Sequence, residues 1–163
     1  MDPKMVNLLN KALHDEHLAI AQYLHHYNQV RTKYDGIVEH FLEHMNDEIR
    51  HANELTARIF ALKGKPTSEI QGWAEYTEDV NVAMQQDIDA EDAAIELYSK
   101  IMAYADEAGD EATLMMIEAI LDDERKHFDE FEKMLGDAKK NFQCGFLNLK
   151  SNQHLITNME SLT

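Results

Sequence analysis

The chain has 163 residues, of which 44 % are hydrophobic and 28 % charged, with two prolines and six glycines; this is one globular domain with few helix breakers. A formal net charge of -16 removes nucleic acid from the expected partners, since phosphate binding needs a basic surface. The single cysteine, Cys144, excludes an internal disulfide and any Cys-x-x-Cys zinc or rubredoxin-type iron site.

From Pro3 to about Lys33, Val6, Leu9, Leu13, Ile20, Leu24 and Tyr27 recur at threes, fours and sevens. That spacing predicts an amphipathic helix, with Pro3 suited to its first turn. Asp35-Gly36 breaks the pattern. A second stretch (Ile37, Phe41, Met45, Ile49, Leu55, Ile59, Leu62) closes at Gly64 and Pro66. Residues 64–77 read as a connection, after which Thr77 or Asp79 caps a third helix carrying Val80, Met84, Ile88, Ile95, Tyr98 and Met102. Gly109-Asp110 makes a turn, and a fourth helix (Leu114, Ile117, Leu121, Phe128, Phe131, Leu135) ends at Gly136.

The expected fold is therefore all-α, a four-helix bundle of residues 1–139 made of two antiparallel hairpins. Fourteen extended residues reach about 46 Å, so the 64–77 connection is long enough for a crossover along the bundle; an antiparallel return usually takes about 2–8. Residues 140–163 fit no helix period well. Phe142, Phe146, Leu147 and Leu149 allow a short fifth helix, followed by a flexible tail. No run approaches the ~20 apolar residues of a membrane span, Met1-Asp2-Pro3-Lys4 lacks an apolar leader, and the cytoplasm is the expected compartment.

The chemistry lies in an internal repeat. Asp47-Glu48-Ile49-Arg50-His51 returns 76 positions on as Asp123-Glu124-Arg125-Lys126-His127, and Glu16-x-x-Ala19-Ile20-x-x-Tyr23 returns 75 positions on as Glu91-x-x-Ala94-Ile95-x-x-Tyr98. Each half thus contributes one lone Glu and one Glu-x-x-His, the donor set for two metal ions bridged by carboxylates between four helices. Counting from each turn at ~1.5 Å per residue places Glu16 level with Glu48 and His51, and Glu91 level with Glu124 and His127. Glu and His three apart share a helix face. Their neighbours on that face include Phe41 and Leu55 in one half, and Ile117, Leu121, Phe128 and Phe131 in the other. Unpaired carboxylates among such residues are strongly penalised, and two divalent cations would remove the penalty. Carboxylate oxygen with one imidazole per metal suits iron or manganese better than copper.

These residues resemble the ferritin-like diiron superfamily, and most closely bacterioferritin. The similarity covers about residues 4–138, including Glu16…Gln22-Tyr23, both Glu-x-x-His pairs, the Gly64-x-Pro66 helix exit and Met115-Met116-Ile117-Glu118. The resemblance implies a ferroxidase centre within one subunit, oxidising Fe(II) to Fe(III) with O2 or H2O2. It also implies a hollow homo-oligomeric shell, expected to hold 24 subunits, that stores ferric mineral. Glu48 and Glu124 would bridge two Fe ions, with Glu16, Glu91, His51 and His127 as terminal ligands. Bacterioferritins place a haem-ligating methionine directly after the first bridging Glu; here that residue is Ile49, so no haem is expected, and Met45 one turn away is read as a packing residue. A non-storage diiron or dimanganese peroxidase or oxidase is the alternative, while a DNA-protecting small cage is disfavoured by the negative charge.

Some side chains carry lesser expectations. Tyr23 and Tyr98, two turns beyond a ligand Glu, are candidates to hydrogen-bond a ligand carboxylate, and Asp47 and Asp123 to orient the imidazoles. His44 precedes Glu48 by one turn and is a candidate for an iron entry route or a third metal.

Overall fold

The structure, a computed structural model, describes residues 2–31, 35–70, 72 and 77–159, with side chains described for all of these except 35–37 and 138–159. Four helices follow in order: α1 (Pro3–Val30), α2 (Asp35–Ala61), α3 (Val80–Ala108) and α4 (Glu111–Met159). None of them, among the described residues, is long and apolar enough to cross a membrane.

The helix ends follow local chemistry. Asp2 caps α1, its carboxylate accepting from the Lys4 and Met5 amides ahead of Pro3. Asp79, rather than Thr77, caps α3 by accepting from Asn81 N–H, while Thr77 Oγ1 accepts from the Asp79 amide. Asp35 and Gly36 are the first two residues of α2, at the boundary with α1. At the end of α2 the left-handed residue is Lys63, at φ 61°. Lys63 N–H bonds Phe60 O and Gly64 N–H bonds Ile59 O, both at 2.8 Å, which closes the last turn. Gly64 is required for space, because a Cβ there would sit 2.7 Å from Val6 Cγ1.

The connection after Gly64 lies along α1. Asn10 Nδ2 donates to Lys65 O and Asn10 Oδ1 accepts from Thr67 N–H near the start of α1. At the other end of α1, Gln29 Oε1 accepts from Thr77 N–H. The chain has therefore travelled the length of the bundle before α3 begins, and the expected long crossover is present. Its consequence is directional: α3 runs antiparallel to α1, with α1 packing on α2 and α3, and α4 on α3 and α2.

The reading of Gly136 as the end of the fourth helix is corrected. α4 continues unbroken to Met159, so no separate fifth helix follows it among the described residues. Gly136 does not adopt positive φ, and the Asp-Ala-Lys-Lys after it contains no proline. A lone interior glycine costs about 1 kcal/mol, which does not stop a helix. The expected packing of Phe142, Phe146, Leu147 and Leu149 lies outside the described side chains, and residues 160–163 lie outside the described residues.

The core is in two parts. One apolar cluster joins Leu9, Leu13, Leu55, Ile59, Ile101 and Ile117; the other joins Tyr23, Val30, Phe41, Met84, Phe131 and Leu135. Between these clusters every helix buries polar side chains.

Candidate metal centre

Glu16 on α1, Glu48 and His51 on α2, Glu91 on α3, and Glu124 and His127 on α4 occupy that polar layer, each at most 4 % exposed. The structure brings all six sequence-predicted ligands together. Glu16, Glu48, His51 and Glu124 form one group of four whose donor atoms lie within 4.8 Å of one another, and Glu48, Glu91, Glu124 and His127 form a second. The groups share Glu48 and Glu124, and each adds one further Glu and one His.

Both imidazoles turn Nδ1 inward. His51 Nδ1 lies 2.8 Å from Glu48 Oε2, 3.1 Å from Glu124 Oε1 and 3.8 Å from Glu16 Oε2. His127 Nδ1 lies 3.2 Å from Glu48 Oε1, 3.7 Å from Glu91 Oε1 and 3.8 Å from Glu124 Oε2. Yet Glu48 Oε1, Glu91 Oε2, Glu124 Oε1 and His127 Nδ1 are buried and make no protein hydrogen bond. Buried polar atoms are ordinarily paired. Four converging orphan atoms, three oxygens and one nitrogen, in groups that each hold three carboxylates and one imidazole, fit a pair of iron or manganese ions.

The electrostatics describe the same crowding. Burial, followed by the charges of Glu16 and Glu124, pushes Glu48 well above the usual carboxylate range. Burial also raises Glu91, to about 7. For Glu124 burial acts upward but is outweighed by the facing imidazoles of His127 and His51, so it falls. Burial should lower His51, but the facing carboxylates of Glu124, Glu16 and Glu48 win and lift it to about 12. His127 is raised in the same way by Glu124, Glu48 and Glu91. Protons, in effect, neutralise the carboxylates where cations could.

A ring of partners crosses between the halves. Tyr23 donates its hydroxyl to Glu91, and Tyr98 donates to Glu16. Both tyrosines therefore hold candidate-ligand carboxylates, each that of the opposite half. The aspartates cross too: Asp47 Oδ2 lies 3.4 Å from His127 Nε2, and Asp123 Oδ2 3.6 Å from His51 Nε2. Arg50, given no role from the sequence, bonds both, at 3.1 Å to Asp47 and 2.6 Å to Asp123. Also unforeseen is a buried dyad beside Tyr23. Asp87 accepts from Gln22 Nε2 at 2.8 Å and faces His26 Nδ1 at 2.8 Å, and burial pushes its carboxyl up. Only the pairing of two buried, oppositely chargeable residues at helical spacing could have flagged it, and the sequence does not show which helices meet.

A cavity of about 260 Å³ opens between α1 and α3 and reaches the four candidate-ligand carboxylates Glu16, Glu48, Glu91 and Glu124, which line it. Small side chains (Ala12, Ala19, Ala90, Ala93, Ala94) leave the space. Ile49, following Glu48, is 41 % exposed, and Met45 packs against the second apolar cluster.

Known proteins resemble this chain over most of its length. The ferritin-like domain family matches residues 6–141. A bacterioferritin of Desulfovibrio desulfuricans is 34 % identical over 142 residues, covering 83 % of this chain and 79 % of that one. Bacterioferritins of Mycolicibacterium paratuberculosis and Rhodobacter capsulatus are 30 % and 29 % identical over 135 residues, covering 82 % of this chain and 85 % and 84 % of theirs. With an all-α bundle, a long crossover and paired Glu and Glu-x-x-His motifs in its core, the chain belongs to the ferritin-like family as a bacterioferritin-like member.

Proposed function

We propose that this chain stores and detoxifies iron: it takes up two Fe(II) as substrate at the paired centre, oxidises them with O2 or H2O2, and passes Fe(III) to a mineral core inside a homo-oligomeric shell. The observation that carries this reading is the sharing of Glu48 and Glu124 by two buried four-donor groups. In it, Glu48 and Glu124 bridge, Glu16 and His51 complete one site, and Glu91 and His127 complete the other. The bacterioferritin relatives support the same reading.

Two Fe(II) give up two electrons, which with two protons reduce O2 to H2O2, or H2O2 to water. The protein's part is to bind, orient and exchange protons. His51 and His127 must release their Nδ1 protons for the nitrogens to act as donors. Tyr23 and Tyr98 hold the terminal carboxylates from the opposite half. Asp47 faces the outer nitrogen of His127 and orients that ring, while Arg50 Nη2, 3.3 Å from His51 Nε2, and Asp123 beside it orient the other. The cavity between α1 and α3 provides a way in that ends on carboxylates.

Two Fe per chain are proposed, with Mn accepted by the same donors. Haem is not part of the proposal, since Ile49 offers no donor atom and Met45 is used in packing. The shell is proposed to hold 24 copies in the cytoplasm, each with its whole centre inside residues 1–139.

The test is aerobic Fe(II) addition to purified protein, with ferric-oxo absorbance followed in time. Glu124→Ala and His127→Ala should oxidise iron far more slowly than the parent; parent-like rates in both would show the site to be misassigned. Size-exclusion mass separates storage from the peroxidase or oxidase alternative, which needs no shell.

A further inference from the structure

Beside the paired centre, between α2 and α4, lies a second constellation that iron oxidation leaves unused. His40 and His44 are four residues apart on α2, so their rings share one face, and Glu130 reaches them from α4. Glu130 Oε2 lies 3.0 Å from His44 Nε2 and 3.5 Å from His40 Nδ1. One donor atom from each residue falls within 4.8 Å of the other two. Two imidazoles at i and i+4 with a carboxylate from a neighbouring element make a donor set for one divalent transition ion.

Two further observations separate this cluster from an ordinary surface ion pair. His40 Nδ1 is buried and makes no hydrogen bond, although it faces Glu130. His44 is held rigidly: it is 3 % exposed, stacks on His127 with ring centroids 4.1 Å apart, and meets Phe131 edge-on at 4.7 Å. Such a ring presents its nitrogen with little rotamer freedom left to lose on binding.

We propose that His40, His44 and Glu130 hold a third divalent metal ion, of the Zn(II) or Fe(II) class, at a mononuclear site that opens to solvent. The side chains of His40 and Glu130 are 37 % and 49 % exposed, so ions can exchange there directly with solvent. On the inner side the site touches the centre through the His44–His127 stack. The third site is weaker than the pair. It has three protein donors instead of four, and a metal on His44 Nε2 moves that ring's proton to Nδ1, which is buried without an acceptor. It therefore fills last.

The experiment is an anaerobic Co(II) titration of chelator-treated protein, reading visible d–d absorbance and bound cobalt per chain. The parent should bind three equivalents, the third at least about tenfold more weakly than the pair. His40→Ala and Glu130→Ala, both at partly exposed positions, should each bind two, with the spectrum of the tight pair unchanged. Glu48→Ala should disrupt the pair and keep the weak equivalent, which separates failure of this proposal from failure of the paired-centre assignment. A parent that binds only two, or a Glu130→Ala protein that still binds three or disturbs the tight pair, overturns the third site.

Discussion

Tyr23 on α1 donates its hydroxyl to Glu91 on α3, and the repeat returns the favour through Tyr98 and Glu16. Each tyrosine is fully enclosed, and burial together with the partner carboxylate raises its pKa well above the usual phenol range, so it remains a donor. Glu91 and Glu16 belong to different members of the paired centre. Tyr23→Phe should therefore weaken the equivalent completed by His127, and Tyr98→Phe the one completed by His51, each by about 10–100-fold. Co(II) titration of the two variants, with each equivalent assigned through His127→Ala and His51→Ala, checks it; weakening of one and the same equivalent by both changes would refute the crossed arrangement.

What the sequence could and could not convey follows from which distances are local. Helical spacing, and levels counted from the turns, were enough to bring Glu16, Glu48, His51, Glu91, Glu124 and His127 into one layer, because rise per residue is fixed. The crossed contacts are not readable there, although both aspartates and both tyrosines stand out. Asp47 is on the same helix as His51, yet it sits against His127 because the imidazoles turn Nδ1 inward and Nε2 toward the facing helix. That depends on α2 lying against α4, which no periodicity states. Gly136 misled for the opposite reason: it is a local stop signal, and nothing local enforced it.

Proton competition sets the pH behaviour of the centre. His51 is raised to about 12, His127 is raised too, and Glu91 stands at about 7. In chelator-treated protein these groups bind more protons folded than unfolded, so stability should fall as pH rises from about 5 to 9. The sign is the same for each: the contribution is fully present below the unfolded value, about 4.5 for Glu91 and about 6.5 for His51. It is then lost on the way up to the folded value. Glu130, Asp47, Asp110 and Asp123 are all lowered and act with opposite sign below about pH 5, while His44, lowered by burial to about 4, opposes the trend up to about 6.5, so the fall is steepest above that. Metal loading should reverse the slope and release at least two protons per pair near pH 7–8. Thermal melts across pH with and without Co(II), and titration in weak buffer, provide the measurement; a metal-free protein that gains stability between pH 6 and 9 contradicts it.

The His26–Asp87 dyad is an energetic hinge of the second apolar cluster. Both side chains are at most 1 % exposed, and removing one partner of such a buried pair costs about 3–5 kcal/mol, whereas replacing both by apolar groups is often close to neutral. His26→Leu should be strongly destabilising, and His26→Leu/Asp87→Leu should recover much of the loss. Gln22, left without its carboxylate acceptor in the double variant, limits the recovery. Denaturant midpoints of the three proteins decide, and a single variant within about 1 kcal/mol of the parent would show that the dyad is not a coupled unit.

Substitution of Arg50 should separate stability from metal binding. Its side chain is 42 % exposed, and ion pairs of that kind contribute about 0–1 kcal/mol, so Arg50→Ala should leave the melting temperature nearly unchanged. The same guanidinium joins Asp47 to Asp123, and these aspartates face the outer nitrogens of His127 and His51. For Asp123, burial acts upward but is outweighed by Lys126 and Arg50, which hold it well below the usual carboxylate range. Without Arg50 the two carboxylates repel and the imidazole planes lose their restraint. Affinity of the pair for Co(II) should then fall about tenfold, with a changed d–d spectrum. Arg50→Lys should restore little, because a single ammonium lacks the planar fork that spans two carboxylates. If both variants bind cobalt with the parent's affinity and spectrum, the aspartates orient the histidines unaided and the clamp has no part in the centre.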